Sequence, residues 1–572
     1  MEFRLASAAY IVVFATYLFL GGMGVTDRNN PFPRDAAYNL LARGLMSGHL
    51  YIDKEVPAVL SRLPDPFDPV ANRTARLDPR YRLHDVSYYR GKLYLYFGAA
   101  PALLVFIPWH LLTGGWLPHW AAVVFLCSAG LLVNLSLVHA VKLRNFPEVG
   151  PWLMAICTLI LGLGSYAPLL VARGDMWEIP MAFSYLTVSI ALRCLWEAHG
   201  NPGRAAKWIA LASAALGAGF AARPTVLPNA AILLFPFFSR ETRRDLWAWI
   251  GAAAPLALCG AGVALYNVLR FGDPLDFGLQ HQLSAGREGA IIRNFSASFV
   301  WANLRLYLFQ GVQWTSVFPF VHEPLLGPLR ARLPLNHGGV EHISGALLNA
   351  PILWSALALL AFTRPGHTDR RFLLFAASAA WVALSSLATL AFFFGACSRY
   401  QFEFVPAAAL LASLGVMEME RTRLTTPIRA IARCAWIPAL VISSAFTVLY
   451  GIERCALDHN YSGIACLEYG DVSGARRELE IARFLSPRNP FSRLGTGLIL
   501  AAQNKYPEAQ SVFEALIRDF PDYAIAHFAL GKVFAGEGRW DEAIAQFWVA
   551  RRLDPYDGTI EAGLNSALAG KR

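Results

Sequence analysis

Four carboxylates in this chain stand where acid–base or metal chemistry could be done. Asp35 opens the stretch RDAAYNLLARGLMSGHLYID, Asp85 lies in HDVSYYRGKLYLYF, and Asp175 and Glu178 share the short turn RGDMWE. A carboxylate can take a proton from a weakly nucleophilic hydroxyl, or it can ligate a divalent cation. Carboxylates on two neighbouring turns could hold one Mg or Mn ion, and Asp35 and Asp175 are the candidate metal ligands. Cations of a second kind accompany them: Arg223 in ARPT, Arg399 with Tyr400 in CSRYQFEFVP, and Lys92 after Gly91. A planar guanidinium offers phosphate two charge-assisted bonds, which suits these residues to an anionic headgroup.

Each of these residues also has a plain structural reading. Asp35 precedes Tyr38, Leu41 and Leu45 at helical spacing, so it could simply cap a helix. Asp175 could pair with Arg173, two residues earlier. His84 beside Asp85 could shuttle protons, but adjacent side chains point apart, and loop packing is the better reading of His84. Arg399 could snorkel toward headgroups, and Lys92 and Arg90 could be solvated loop charges. His281, His322, His337 and His342 show no HxH or HExxH spacing and read as ordinary loop histidines.

The elements that must position these groups are membrane elements. Of 572 residues, 55% are hydrophobic and 16% charged, where soluble domains carry about 25% charged residues. Apolar runs near 5–25, 118–140, 151–171, 179–197, 206–222, 225–239, 246–270, 343–362, 372–396, 400–418 and 434–450 read as crossings. The first lacks a cleavage pattern and reads as a retained anchor. Residues 98–112 (with Pro101 and Pro108) and 299–318 (with Arg305, Gln310 and Gln313) read as re-entrant or interfacial. The expected fold is all-α: a polytopic transmembrane helical bundle of about eleven crossings, thirteen if both doubtful segments cross.

Charge then orients the bundle. Lys142/Arg144, Arg193/Arg204/Lys207, Arg240/Arg243/Arg244, Arg364/Arg370/Arg371 and Arg421/Arg423/Arg429 fall on alternate connections, as the cytoplasmic excess of basic residues requires. The first loop (26–97), the RGDMWE turn, the late loop (271–342) and the C-terminal segment are then expected on the extracytoplasmic side. The formal net charge of +10 is explained by these basic loops. No basic run with interleaved aromatics points to nucleic acid. A first loop this long is itself informative, because connections longer than about 15 residues are usually functional.

After residue 450 the composition becomes soluble and repeats. Ala475, Ala509 and Ala543 recur every 34 residues, as do Pro487, Pro521 and Pro555, the tetratricopeptide period. Small Ala lets paired helices approach, Phe513 and Phe547 fill between them, and Pro ends the second helix. The expected domains are a membrane domain over 1–450 and about three repeats over 451–572. Cys455 and Cys466 could form a disulfide if this segment is extracytoplasmic. Cys127, Cys157, Cys194, Cys259 and Cys434 read as small hydrophobes, and nothing in the cysteine spacing suggests zinc.

The N-terminal span followed by a loop with D-x-x-Y-x-x-x-A-x-x-L-x-x-G (Asp35, Tyr38, Ala42, Leu45, Gly48) resembles the GT-C membrane glycosyltransferases. The G-K-x-Y…P…P stretch (Gly91, Lys92, Tyr94, Pro101, Pro108) and the R-Y-x-x-x-x-x-P run (Arg399, Tyr400, Pro406) are similar to later segments of that family. The resemblance covers roughly residues 1–450 and implies a polyprenyl-phosphate-linked sugar as donor. It implies Asp35 as base or metal ligand, Asp175, Glu178 and Asp85 as further acids, and Arg399, Tyr400, Arg223 and Lys92 at the donor phosphate. The acceptor would be a glycan, lipid or protein recruited through the repeats, in a setting such as a bacterial inner membrane. Similarity to membrane O-mannosyltransferases with tetratricopeptide repeats favours a protein acceptor. The alternatives are an oligosaccharide ligase or polymerase, and a non-enzymatic scaffold or transporter using the repeats as a docking platform.

Overall fold

The computed structural model describes residues 2–24, 33–78, 81, 83, 85–284, 294–324, 333–334, 337–363, 368–421, 425–468, 470–555 and 557–571. It divides into two compact units: 1–310 with 345–393 and 398–448, and 311–344 with 394–397 and 449–572.

The first unit is a bundle of apolar helices. Its main elements are α1 (Glu2–Met23), α2 (Ala37–Met46), α3 (Ala102–Thr113), α4 (His119–Asn145), α5 (Leu153–Gly162), α6 (Ala167–Arg173), α7 (Glu178–Gly200), α8 (Ala205–Ala222), α9 (Leu246–Phe271), α10 (Val300–Phe309), α11 (Arg370–Phe392) and α12 (Val405–Met419). The last, α13 (Thr426–Glu468), begins in this unit and continues into the second. Among the described residues seven helices are long and apolar enough to cross a membrane: α1, α4, α7, α8 with its leading turn, α9, α11 and α13. The bent pair α5–α6, at 44°, makes an eighth if it is one span. The chain is an integral membrane protein.

The expected runs at 225–239, 343–362 and 400–418 fall on shorter apolar helices, Pro224–Phe238, Pro351–Phe362 and Val405–Met419. Pro228 and Pro236 lie inside the first of these. Each proline removes a backbone donor and crowds the preceding turn, and the segment winds as a 3-10 helix. Helix ends follow local chemistry. Asp245 accepts the Trp247 amide at the start of α9, and Gly272, at φ 85°, ends it in the left-handed region.

The polar loops are not wholly helical. Strands β1 (Val86–Tyr89) and β2 (Lys92–Leu95) form a hairpin closed by Arg90 and Gly91 at φ 47° and 73°. Positive φ at both turn residues matches the twist of a tight hairpin. A third strand, β3 (Gln282–Leu283), pairs with β1 through Val86–Leu283 and Ser87–Gln282. The first loop and the start of the late loop are therefore joined by backbone hydrogen bonds.

The second unit holds six repeat helices: α14 (Val472–Leu485), α15 (Pro490–Ala502), α16 (Tyr506–Asp519), α17 (Ala524–Gly536), α18 (Trp540–Leu553) and α19 (Gly558–Gly570). Ala475, Ala509 and Ala543 are fully buried, and Phe513 and Phe547 fill the space between helices. The Phe side chains lean on glycine: a Cβ added to Gly497 would lie 2.4 Å from Phe513, and one on Gly531 2.7 Å from Phe547. The unit also contains the hairpin β4 (Gln313–Trp314) and β5 (Val321–His322), and the parallel pair β6 (Gly339–Glu341) and β7 (Gly395–Cys397). Cys455 and Cys466 lie on one continuous helix, α13. Eleven positions span about 16 Å, beyond the ~7 Å Cα separation a disulfide can bridge. The pairing expected for them is therefore excluded by the helix.

Candidate functional site

The site is built on the first unit, beginning at α2. Asp35 ends a single 3-10 turn, and the helix cap falls on Ala36, which has no side chain to offer. Asp35 therefore does not cap. Its half-exposed carboxylate faces Arg43 Nη1 at 3.5 Å, while Arg43 Nη2 meets Asp53 at 2.6 Å. The open helix end is satisfied from outside: the Tyr38 amide donates to His119 Nε2 at 3.3 Å. With Nε2 accepting, the proton sits on Nδ1, which faces Asp175 Oδ1 at 3.4 Å. Asn39 adds a bond from Nδ2 to the Leu117 carbonyl at 2.8 Å. The first loop is thus fastened to the RGDMWE turn through one buried imidazole, 3% exposed.

The turn itself is knitted tightly. Gly174, at φ 51°, reverses the chain between α6 and α7. Asp175 Oδ1 also accepts the Met176 amide at 2.7 Å, and Glu178 Oε2 accepts the Asp175 amide at 3.1 Å. The alternative reading of Asp175 as a partner of Arg173 gives way to a pair between Arg173 and Glu178, at 3.5 Å, and the Glu178 carboxylate is 1% exposed. Burial pushes the Asp175 carboxyl up. The hydrogen bond from His119, the Arg173 charge and the Met176 amide more than offset it and hold the carboxyl below its ordinary range. A carboxylate that stays ionised orients the imidazole rather than donating a proton.

Asp85 reaches the same turn from the hairpin. It adopts φ 59°, a left-handed conformation that Asp tolerates better than most residues. Trp177 Nε1 donates to Asp85 Oδ2 at 3.0 Å, and the Arg173 guanidinium lies 4.6 Å over the Trp177 ring. Tyr96 connects Asp85 to the cations. Burial, then the Asp85 and Tyr400 charges, push its phenol well above its ordinary value, against the opposing fields of Arg399 and Arg223. Arg399 and Arg223 lie 5.3 Å and 5.2 Å from the Tyr400 ring centre. Arg223 is also held by Glu403 at 2.6 Å and Thr225 at 3.0 Å. A narrow cavity of ≈ 40 Å³ runs from Arg223 and Glu403 past Asn134 and Tyr185.

Asp85, Asp175 and Glu178 are thus brought to one turn, and Arg223, Arg399 and Tyr400 to one cluster, with Tyr96 between the two groups. Asp35 joins them only through its helix. Lys92 stands apart, exposed at the start of the otherwise buried β2, with its ammonium 4.4 Å over the Tyr51 ring. His84 lies outside the described residues. Four participants went unweighed in the sequence reading: His119, Trp177, Tyr96 and Glu403. Trp177 and Glu403 sit inside the motifs RGDMWE and SRYQFEF. His119, alone at the start of an apolar run, carries no sequence signal beyond its position at a membrane boundary.

A divalent cation needs several converging oxygen ligands. Among the described residues no three His, Cys, Asp or Glu side chains converge. Asp35 is engaged by Arg43, and Asp175 by His119 and a backbone amide. The described residues therefore supply no preformed protein cage for Mg or Mn.

The tetratricopeptide repeat family matches residues 494–558, and the C-terminal helices are tetratricopeptide repeats. No curated protein matches the chain by sequence. Among solved structures, the chain is similar to ArnT from Cupriavidus metallidurans bound to undecaprenyl phosphate. The two share 13% identity with a TM-score of 0.40, over 89% of this chain and 79% of that one. It is also similar to yeast Tom70, at 13% identity and a TM-score of 0.21, over 73% of this chain and 77% of that one. Likenesses at this identity and TM-score transfer no activity, and the functional reading rests on the chain's own residues.

Proposed function

We propose that the chain is an integral-membrane glycosyltransferase that moves a sugar from a polyprenyl-phosphate carrier to an acceptor glycan, lipid or protein on the extracytoplasmic face. The observation that supports this most is the presence in one bundle of a carboxylate turn, with Asp85 held by Trp177, and an arginine–tyrosine cluster, with Arg223 and Arg399 at the Tyr400 ring. That juxtaposes a proton acceptor and a phosphate binder, the two functions the reaction needs. The motif resemblance of residues 1–450 points the same way.

In the reaction the acceptor oxygen attacks the anomeric carbon, the bond from that carbon to the phosphate oxygen breaks, and the acceptor proton passes to a carboxylate. Asp35 is the first candidate base, because its half-exposed carboxylate is not consumed by capping. Asp85 is the second. Arg399 binds the departing phosphate as a two-pronged donor. Arg223 and Tyr400 form the wall behind it, with Glu403 fixing Arg223. Asp175 and Glu178 act as positioning residues through His119 and Arg173. Lys92, apart from this cluster, is left without a part in the reaction, and the repeats recruit the acceptor or a partner.

Purified protein given a polyprenyl-phosphate sugar and an acceptor tests this reading. The Asp35→Asn variant should lose about 10²-fold or more of its turnover, the usual contribution of a positioned base. Undiminished transfer by Asp35→Asn and by Asp85→Asn would remove the mechanism. No transfer by the wild-type chain with any lipid-linked sugar would favour the scaffold reading.

A further inference from the structure

The second unit contains a cavity of about 620 Å³ between the β4–β5 hairpin, α13 and the ends of the repeat helices. Six acids line it: Glu323, Glu453, Asp519, Asp522, Asp554 and Asp557. Among the described residues two arginines do, Arg488 and Arg493, and Arg493 is paired with Asp519 at 2.5 Å. The lining is thus strongly acidic even after its internal ion pair is discounted.

Charge alone would describe a solvated rim, but the lining residues Glu453, Tyr523 and Glu323 each carry a buried polar atom without a hydrogen-bond partner among the described residues. Glu453 is 1% exposed. Its Oε1 accepts from Asn489 at 2.7 Å and faces His322 Nδ1 at 3.2 Å, while its Oε2 is buried with no hydrogen-bond partner among the described residues. Tyr523, 6% exposed, has a hydroxyl in the same condition. Glu323, bonded through Oε2 to His342 at 2.9 Å, likewise leaves Oε1 buried and without a partner. Leaving a buried polar atom unsatisfied is destabilising, more so for a charge, so three at one cavity ask for a donor. The aromatic lining specifies what kind. Tyr461, Phe491 and Tyr523 form a continuous series, with ring centres 5.5 Å and 5.8 Å apart. Ring faces beside carboxylates attract ammonium and guanidinium groups.

We propose that this cavity binds an organic cation, an alkylammonium or guanidinium group that donates to Glu453 Oε2 and Glu323 Oε1 and stacks on the Tyr461–Phe491–Tyr523 series. Such a group could belong to a basic polypeptide segment or to a free polyamine. A volume of about 620 Å³ lies within the ~300–1,000 Å³ range of small-molecule and side-chain sites. Binding is separate from sugar transfer, so its failure and that of the transferase reading appear in different assays.

Full-length protein in detergent is titrated with a fluorescein-labelled alternating Lys-Gly octapeptide and followed by anisotropy. Spermidine serves as competitor, and an alternating Glu-Gly octapeptide as control. Saturable binding of the Lys-Gly peptide, weakened about tenfold or more by Glu453→Gln, is expected, because a buried carboxylate loses its charge-assisted bond. Glu453→Gln preserves the acceptor used by Asn489. Should that variant misfold, Glu323→Gln and Tyr523→Phe carry the same test. Asp541→Asn, at an exposed carboxylate outside the cavity, should bind as wild type. Displacement by spermidine at similar concentration assigns the site to polyamines, and poor displacement assigns it to polypeptide; both support a cation site. Absence of binding by both cations overturns the proposal. So does equal binding of the acidic peptide, or affinity unchanged by the Glu453, Glu323 and Tyr523 variants.

Discussion

His119 does work at the residue scale that no motif announces. One imidazole closes the N-terminus of α2 with Nε2 and meets Asp175 with Nδ1, so the two halves of its ring tie a loop to a turn. The two side chains should therefore be energetically coupled. His119→Asn and Asp175→Asn, measured singly and together by SDS-driven unfolding in mixed micelles, should give a coupling of about 0.5–3 kcal/mol, as contacting residues do. Strict additivity would mean that the contact contributes nothing. Asp35 illustrates the converse. Its sequence context suits a cap as well as a base, and only the position of Ala36 at the cap separates the two.

At the scale of elements, the hairpin β1–β2 and its partner β3 join two loops nearly two hundred residues apart in the chain. The sequence reading places VSYYRGKLYLYF only within the first loop, and the hairpin is a feature that the structure adds. So is the pairing with Gln282–Leu283, because a two-residue strand has no pattern of its own. The β6 segment offers a pH test. Burial lowers the His337 imidazole to about 4, and its Nδ1 accepts the Gly339 amide at 3.1 Å. A histidine with a depressed folded-state value stays neutral when folded. Its stabilising effect is full above its unfolded value of about 6.5 and is lost as pH falls toward about 4. The thermal midpoint of the wild type should therefore drop further between pH 7 and pH 4.5 than that of His337→Asn, which keeps an acceptor but does not titrate. Equal drops would refute that role.

At the scale of the whole molecule, the alternating basic clusters predict which segments share a side of the membrane. Cysteine introduced at Val70 in the first loop or Trp548 in the repeats should react with a membrane-impermeant maleimide from the extracytoplasmic side. At Ala430, beside the Arg421/Arg429 cluster, it should react only after the membrane is opened. Labelling of all three from one side would undo the charge map. The sequence by itself determined the apolar helices, the 34-residue repeat and the motifs holding Asp35, Asp175 and Arg399, since burial and helix pairing leave periodic patterns in composition. Tertiary structure alone decided that Glu178 rather than Asp175 takes Arg173, that Glu403 holds Arg223, and that Glu453 and Tyr523 are buried at one cavity. The physical reason is range: periodicity is written within a few turns of one element, whereas a charged or polar partner is set by which distant element folds against it.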